Sequence, residues 1–153
     1  MGIKQRLEAD IKTALLGGDK KRVEILRVLK GAVLDLEIAE GKRQDGLSEQ
    51  QLITLFAREA KKRQDAAQLY IVAGEQSRAD AETAEKEIID TYLPEQMSDE
   101  QLGSMIDKSI ADIGGELTQQ LMGKVIANVR DASEGAVDGS RIAAAVKARL
   151  AQT

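Results

Sequence analysis

Apolar residues recur at helical spacing along nearly the whole chain. Ile3, Leu7, Ile11 and Leu15 follow one another at intervals of four, and Gly17-Gly18 breaks the run. Asp19 stands where an N-cap belongs. Val23, Leu26, Leu29, Val33 and Leu36 then share one face of a second helix over 20–40. The polar stretch from Gly41 to Gly46 reads as a loop. Ser48 opens a third helix with a capping box to Gln51, flanked by Leu47 and Leu52 as a hydrophobic staple, and this helix is expected to reach Val72. Gly74 ends it, and Ser77 is the expected cap of a fourth helix carrying Ala81, Ala84, Ile88 and Tyr92.

Pro94 terminates that helix through Leu93 and marks the expected domain boundary. Ser98 and Gln101 repeat the capping box, with Met97 and Leu102 as staple, and Ile106, Ile110 and Ile113 continue the stripe to Gly114-Gly115. A sixth helix is expected over 118–131 through Leu121, Val125 and Val129. A turn at Ser133-Glu134-Gly135 follows, and Asp138 caps a last helix carrying Ile142, Val146 and Leu150. Strand-like alternation is nowhere evident. The expectation is an all-α chain, with a helical N-terminal domain over 1–93 and a small three-helix domain over 94–153.

Charges interrupt two of these stripes. On a wheel of about 100° per residue with Leu52 at zero, Glu59 falls near −20° and Arg63 near +20°, inside the apolar face. They stand one helical turn apart and can pair. On the second helix, with Leu26 at zero, Arg22 and Lys30 fall at about −40° and +40°. Arg22, Lys30, Glu59 and Arg63 therefore form a candidate interhelical polar network that fixes register. Snorkelling of the long basic chains over a thin core explains the same pattern. So does a charged groove that receives a partner.

Composition narrows the chemistry. The 153 residues include no cysteine, tryptophan or histidine, one proline and only 2% aromatics. The core must be aliphatic. Disulfides, thiolate zinc sites, Fe–S clusters and any His-dependent relay are excluded. The formal charge is −4, with 16 basic against 17 acidic residues before Pro94 and 6 against 9 after it. Neither part is basic overall. The N-terminus has no apolar signal core, no run of about 18 apolar residues occurs, and Arg6 breaks the myristoylation pattern, so a soluble cytoplasmic protein is expected. No cofactor is implied. Gly123-Lys124 lacks the upstream glycine, the following Ser or Thr and the preceding strand of a phosphate loop. Glu82, Glu85, Glu87 and Asp90 read as a solvated helix face, because the spacing of an oxygen-ligand calcium loop is absent.

Basic residues cluster at Arg58, Lys61, Lys62 and Arg63 on the third helix. They read as a solvated face or as a phosphate-contacting patch. Together, Arg27-Val-Leu-Lys30, Arg58-Glu-Ala-Lys-Lys-Arg63, Tyr92-Leu-Pro-Glu-Gln96, Met122-Gly-Lys-Val125 and Asp138-Gly139 resemble the YqeY-like proteins of the GatB/YqeY group. The resemblance covers nearly the whole chain in order. It implies an all-α fold of two domains. It also implies that the C-terminal part is similar to the helical tail of the B subunit of the tRNA-dependent amidotransferase, a tail that contacts tRNA while the chemistry lies elsewhere. Family association extends to carbon–nitrogen ligase activity with glutamine as amido donor. The resemblance departs at the last turn, where a basic stretch of the family becomes Glu134, Ala136 and Ser140. Lys124, Arg130, Arg141, Lys147 and Arg149 remain as RNA-contacting candidates.

Three readings of function follow. The first is an accessory module that binds tRNA by shape, which needs no aromatic platform. The second is a helical adaptor that docks a protein partner of the translation or amidotransferase machinery. It predicts an exposed apolar patch larger than ~400 Å² near Tyr92-Leu93. The third is an autonomous amidotransferase, which the residues support least because no Ser-Ser-Lys constellation or nucleotide loop is present.

Overall fold

A computed structural model describes residues 1–95, 97–133 and 137–152, all helices and connections. The order is α1 (Ile3–Leu16), α2 (Lys20–Ala39), α3 (Glu49–Val72), α4 (Gln76–Asp90), α5 (Asp99–Ile113), α6 (Met122–Ala132) and α7 (Gly139–Ala151). The fold class is all-α. Contacts divide it into two compact units, Met1–Pro94 and Glu95–Thr153.

The helix starts show the capping chemistry directly. Ser48 Oγ accepts from the Gln51 amide at 3.1 Å, and the Gln51 side chain accepts from the Ser48 amide at 3.0 Å. Ser98 and Gln101 repeat this reciprocal pair at 3.1 and 2.9 Å. Each box satisfies two backbone donors that the first turn leaves open. Asp19 accepts from the Arg22 amide at 3.1 Å, and Asp138 from the Ser140 amide at 3.2 Å.

In the first unit α1 pairs with α2 and α3 with α4, each across a short connection that makes the two helices antiparallel neighbours. Gly74, with φ +76°, supplies the left-handed residue that turns α3 into α4. Leu7, Leu26, Leu29, Phe56 and Ile89 are its most buried apolar side chains. Phe56 meets Tyr92 edge to face, with ring centroids 5.6 Å apart and planes at 81°. The second unit packs α5, α6 and α7 around Ile106, Val125, Val129, Ile142 and Val146. Arg141 on α7 bonds Asp99 at 2.7 Å, and Arg149 bonds Asp107, so α5 and α7 run parallel along a two-rung ion-pair ladder.

Four expectations need correction. Leu15 is exposed and Ala14 takes its place in the core. A strict four-residue repeat drifts about 40° per step, so by Leu15 it has rotated off the face that Ile3 begins. The fourth helix starts at Gln76, with Glu75 rather than Ser77 at the N-cap. Its packed face runs through Ala79 and Ile89, which leaves Ala81 and Ala84 exposed. The sixth helix starts at Met122, because Thr118 closes a separate turn by accepting from the Leu121 amide. The expected turn residues Glu134 and Gly135, and Ala136 beside them, lie outside the described residues, as does Gln96.

Candidate functional site

Long helices let a short sequence carry charge on both their inner and outer faces, and α3 does both. At about 1.5 Å per residue its 24 residues span ~36 Å. Glu59 and Arg63 sit on the inner face, and both side chains are largely withdrawn from solvent. The Arg63 guanidinium bonds the Glu59 carboxylate directly and its backbone carbonyl at 3.1 Å, then reaches Glu85 on α4 at 3.4 Å. Lys62 adds a second contact to Glu59 at 3.1 Å. Burial pushes the Glu59 carboxyl up, but the hydrogen bonds from Arg63 and Lys62 outweigh it and hold the group below the usual carboxylate range. Glu59 therefore stays ionised, and Arg63 is committed inside the fold.

That commitment reshapes the basic cluster. Arg58, Lys61 and Lys62 are exposed on the outer side of α3, within about 100° of one another on the helix wheel, whereas Arg63 points away. Asp65 is exposed on the same side between them, so this strip carries three cations and one anion. Of the other residues expected in an interhelical network, Arg22 is half-buried and near Tyr92, where burial raises the phenol's pKa and the Arg22 charge opposes that rise only in part. Lys30 is exposed.

The second unit distributes its cations differently. Arg141 and Arg149 hold Asp99 and Asp107 in the α5–α7 ladder. The Arg130 guanidinium lies over Gly139 at the start of α7, where a Cβ would collide with it. Lys124 and Lys147 are exposed on α6 and α7.

Two polar centres escaped the sequence reading. Glu37 on α2 has a side chain only 1% exposed, and it accepts from Lys4 on α1 at 2.7 Å and from Arg43 at 3.5 Å. The Lys4 hydrogen bond outweighs the cost of burial and, with the charges of Lys4 and Arg43, holds the carboxyl below its ordinary value. The pattern contained the signal: with Leu26 at zero, Glu37 falls near +20°, deeper in the stripe than Arg22 or Lys30. The other centre is Tyr92. Its hydroxyl donates to Asp10 on α1, and the Arg6 guanidinium lies 5.0 Å from its ring centroid while bonding the Thr91 carbonyl at 3.0 Å. Burial pushes the Tyr92 phenol far up, and the Asp10 hydrogen bond adds to the shift. Tyr92 thus locks α1 to the end of α4. It is 3% exposed and Leu93 is half-buried, so these two residues do not themselves form an exposed apolar patch.

Exposed apolar side chains occur elsewhere. Leu69, Ile71 and Val72 are 71%, 49% and 79% exposed at the end of α3. An open depression of about 600 Å³ at the start of α5 is lined by Glu95, Met97, Glu100, Gln101, Ser104 and Met105. Among the described residues, no group of three or more His, Cys, Asp or Glu is placed to hold a metal ion. No helix of the described residues is long and apolar enough to cross a membrane.

Comparison with known proteins gives one match of wide coverage. A family model described as Yqey-like protein matches residues 4–150. No curated protein matches the chain.

Proposed function

The chain belongs to the Yqey-like protein family, and we propose that it is a helical accessory module that binds tRNA and is allied to tRNA-dependent amidotransfer, with the carbon–nitrogen ligase chemistry supplied by another protein. The observation that carries this reading is the outer strip of α3. Arg58, Lys61 and Lys62 project from a long helix, and the neighbouring Glu59 is matched from within by Arg63 with a second contact from Lys62. A chain of net charge −4 thereby presents a strip of three cations to the single anion Asp65, and net positive charge on a rigid rod suits contacts to phosphates. Recognition by helix shape needs no stacking rings, which agrees with the near absence of aromatics. Lys124 and Lys147 are further phosphate contacts in this reading. Arg141 and Arg149 serve the α5–α7 ladder instead.

A protein-docking role is the second reading. The exposure of Leu69 and Val72, neighbours three residues apart on α3, favours it, because adjacent exposed aliphatic side chains suit burial against a partner.

Fluorescence anisotropy with labelled bulk tRNA at two salt concentrations separates the two. Micromolar binding that weakens steeply with salt, and that is lost on replacing Arg58, Lys61 and Lys62 by glutamine, supports the tRNA module. A folded protein with no affinity at low salt removes that reading and leaves protein docking.

A further inference from the structure

The cations of α3 share their face with other chemistry. With Arg58 at zero on a wheel of about 100° per residue, Lys61 falls at about −60°, Lys62 at about +40° and Asp65 at about −20°. Further along, Leu69 falls at about +20° and Val72 at about −40°. All six are exposed. The strip and the aliphatic pair are therefore two ends of one face, which runs from cation through anion to aliphatic. At about 1.5 Å per residue, Asp65 stands ~5–6 Å beyond the two lysines and Leu69 ~6 Å beyond Asp65.

Asp65 is out of place in a site for phosphates alone. An exposed carboxylate among three cations repels the phosphates that the cations attract. Pairing with Lys61 one turn before it is a weak reason for it, because a cation ahead of an anion is the less favourable order along a helix. Leu69 and Val72 gain nothing from phosphates either. A nucleotide at the 3′ end of an RNA strand presents the matching order. Its phosphate is anionic, its ribose carries two hydroxyls that donate to a carboxylate, and its unstacked base offers an apolar face. The ~12 Å from Lys61 to Leu69 is comparable with the reach from a nucleotide's phosphate to the far edge of its base. Inside a duplex the base faces are covered by their neighbours, and inside any strand the ribose keeps only its 2′-hydroxyl.

We infer that the outer face of α3 holds the 3′-terminal nucleotide of an RNA, with phosphates on Arg58, Lys61 and Lys62, the ribose hydroxyls on Asp65 and the base on Leu69 and Val72. Lys62 reaches its phosphate by leaving Glu59, which Arg63 still holds. The inference rests on the reading of the strip as an RNA site and narrows it to a free strand end. An acidic protein partner suits the cations, but Asp65 repels it with no hydroxyl pair to compensate.

Anisotropy of a 5′-labelled RNA hairpin with a short single-stranded 3′ tail tests this, against the same RNA ending in a 2′,3′-dideoxynucleotide. The dideoxy end is expected to bind about 5-fold more weakly with the same salt dependence, since the phosphates are unchanged. Asp65→Ala gives the decisive sign. In a site for phosphates alone, removing an anion tightens binding. Here it is expected to weaken binding of the native end by about 5-fold and not to weaken the dideoxy end, which lacks the hydroxyls. Leu69→Ser with Val72→Ser, both already in solvent, is expected to weaken binding by about 3-fold or more without changing the salt slope. A dideoxy end that binds as tightly as the native one, an Asp65→Ala variant that tightens the native end, or a serine pair that binds unchanged overturns the inference and leaves the strip a phosphate site. A folded chain with no RNA affinity at low salt overturns it together with the RNA reading and leaves protein docking.

Discussion

The Arg63 guanidinium closes on the Glu59 carboxylate one turn before it on α3, and both groups lie inside the fold. Their proximity makes the pair depend on each partner unequally. Removing Arg63 leaves a buried carboxylate with Lys62 alone, and Lys62 is itself mostly exposed. Arg63→Leu is expected to lower unfolding free energy by about 3 kcal/mol, because an uncompensated buried charge costs far more than a missing pair. Replacing both residues, as Glu59→Leu with Arg63→Leu, is expected to cost much less. Urea denaturation of the two variants checks this. If the double variant loses as much as the single one, the interior around Glu59 is not dry enough for the argument.

Tyr92 offers a separable test. Tyr92→Phe keeps the edge-to-face contact with Phe56 and the Arg6 cation above the ring, and removes only the hydroxyl that donates to Asp10. A hydrogen bond to a charged acceptor contributes about 1.5–3 kcal/mol, so a loss near the lower end is expected for this partly solvated pair. The phenol's pKa is raised in the fold, so the contribution is present below pH 10, the ordinary phenol value, and disappears only as pH rises through the higher folded value. Wild type and Tyr92→Phe should therefore converge in stability in strong base. A constant gap across that range would show that the hydroxyl is not the source.

Much of this architecture was legible because its signals are local. The boxes Ser48–Gln51 and Ser98–Gln101 and the cap at Asp138 each depend on residues at most three apart, and all form. Glu59 and Arg63 were also legible, since one wheel places them in the stripe. The start of α4 was not, because Gly74 allows the helix to restart before Ser77 can act as its cap. Its buried face was misjudged because alanines carry little signal: Ala79 is buried and Ala81 and Ala84 are not. Glu37 stood in the apolar stripe, but its partner Lys4 lies on another helix, and only the packing of α1 on α2 brings them together. The tertiary commitment of Arg141 and Arg149 likewise depends on carboxylates of α5 that no short motif connects to them.

Glu37 governs the acid limb of stability. Its carboxyl is held below the ordinary value of 4.5, so its contribution is complete above that pH and is lost as pH falls through the lower folded value. Glu59 is depressed in the same direction and acts in the same window. Glu37→Gln should therefore be less stable than wild type at neutral pH, with the gap narrowing as both are titrated below about pH 4.5. Thermal melts between neutral pH and pH 3 measure it. A gap that stays constant through the acid range would place the cost in packing rather than in the ion pairs with Lys4 and Arg43.

The α3 strip makes a quantitative claim about salt. If Arg58 and Lys61 each neutralise a phosphate, and Lys62 does so by leaving Glu59, which Arg63 still holds, the logarithm of tRNA affinity should fall linearly with the logarithm of salt, and replacing all three by glutamine should flatten that slope by about 2–3. Arg141→Gln gives the contrasting case. Its guanidinium is bound to Asp99, so the substitution should leave the salt slope unchanged while slightly reducing the stability of the second unit. Anisotropy titrations at several salt concentrations read both slopes. If Arg141→Gln flattens the slope as much as a strip residue does, the α5–α7 ladder opens on binding and its cations belong to the interface. If the triple variant leaves the slope intact, phosphate contacts lie away from α3, and Lys124 and Lys147 become the residues to replace next.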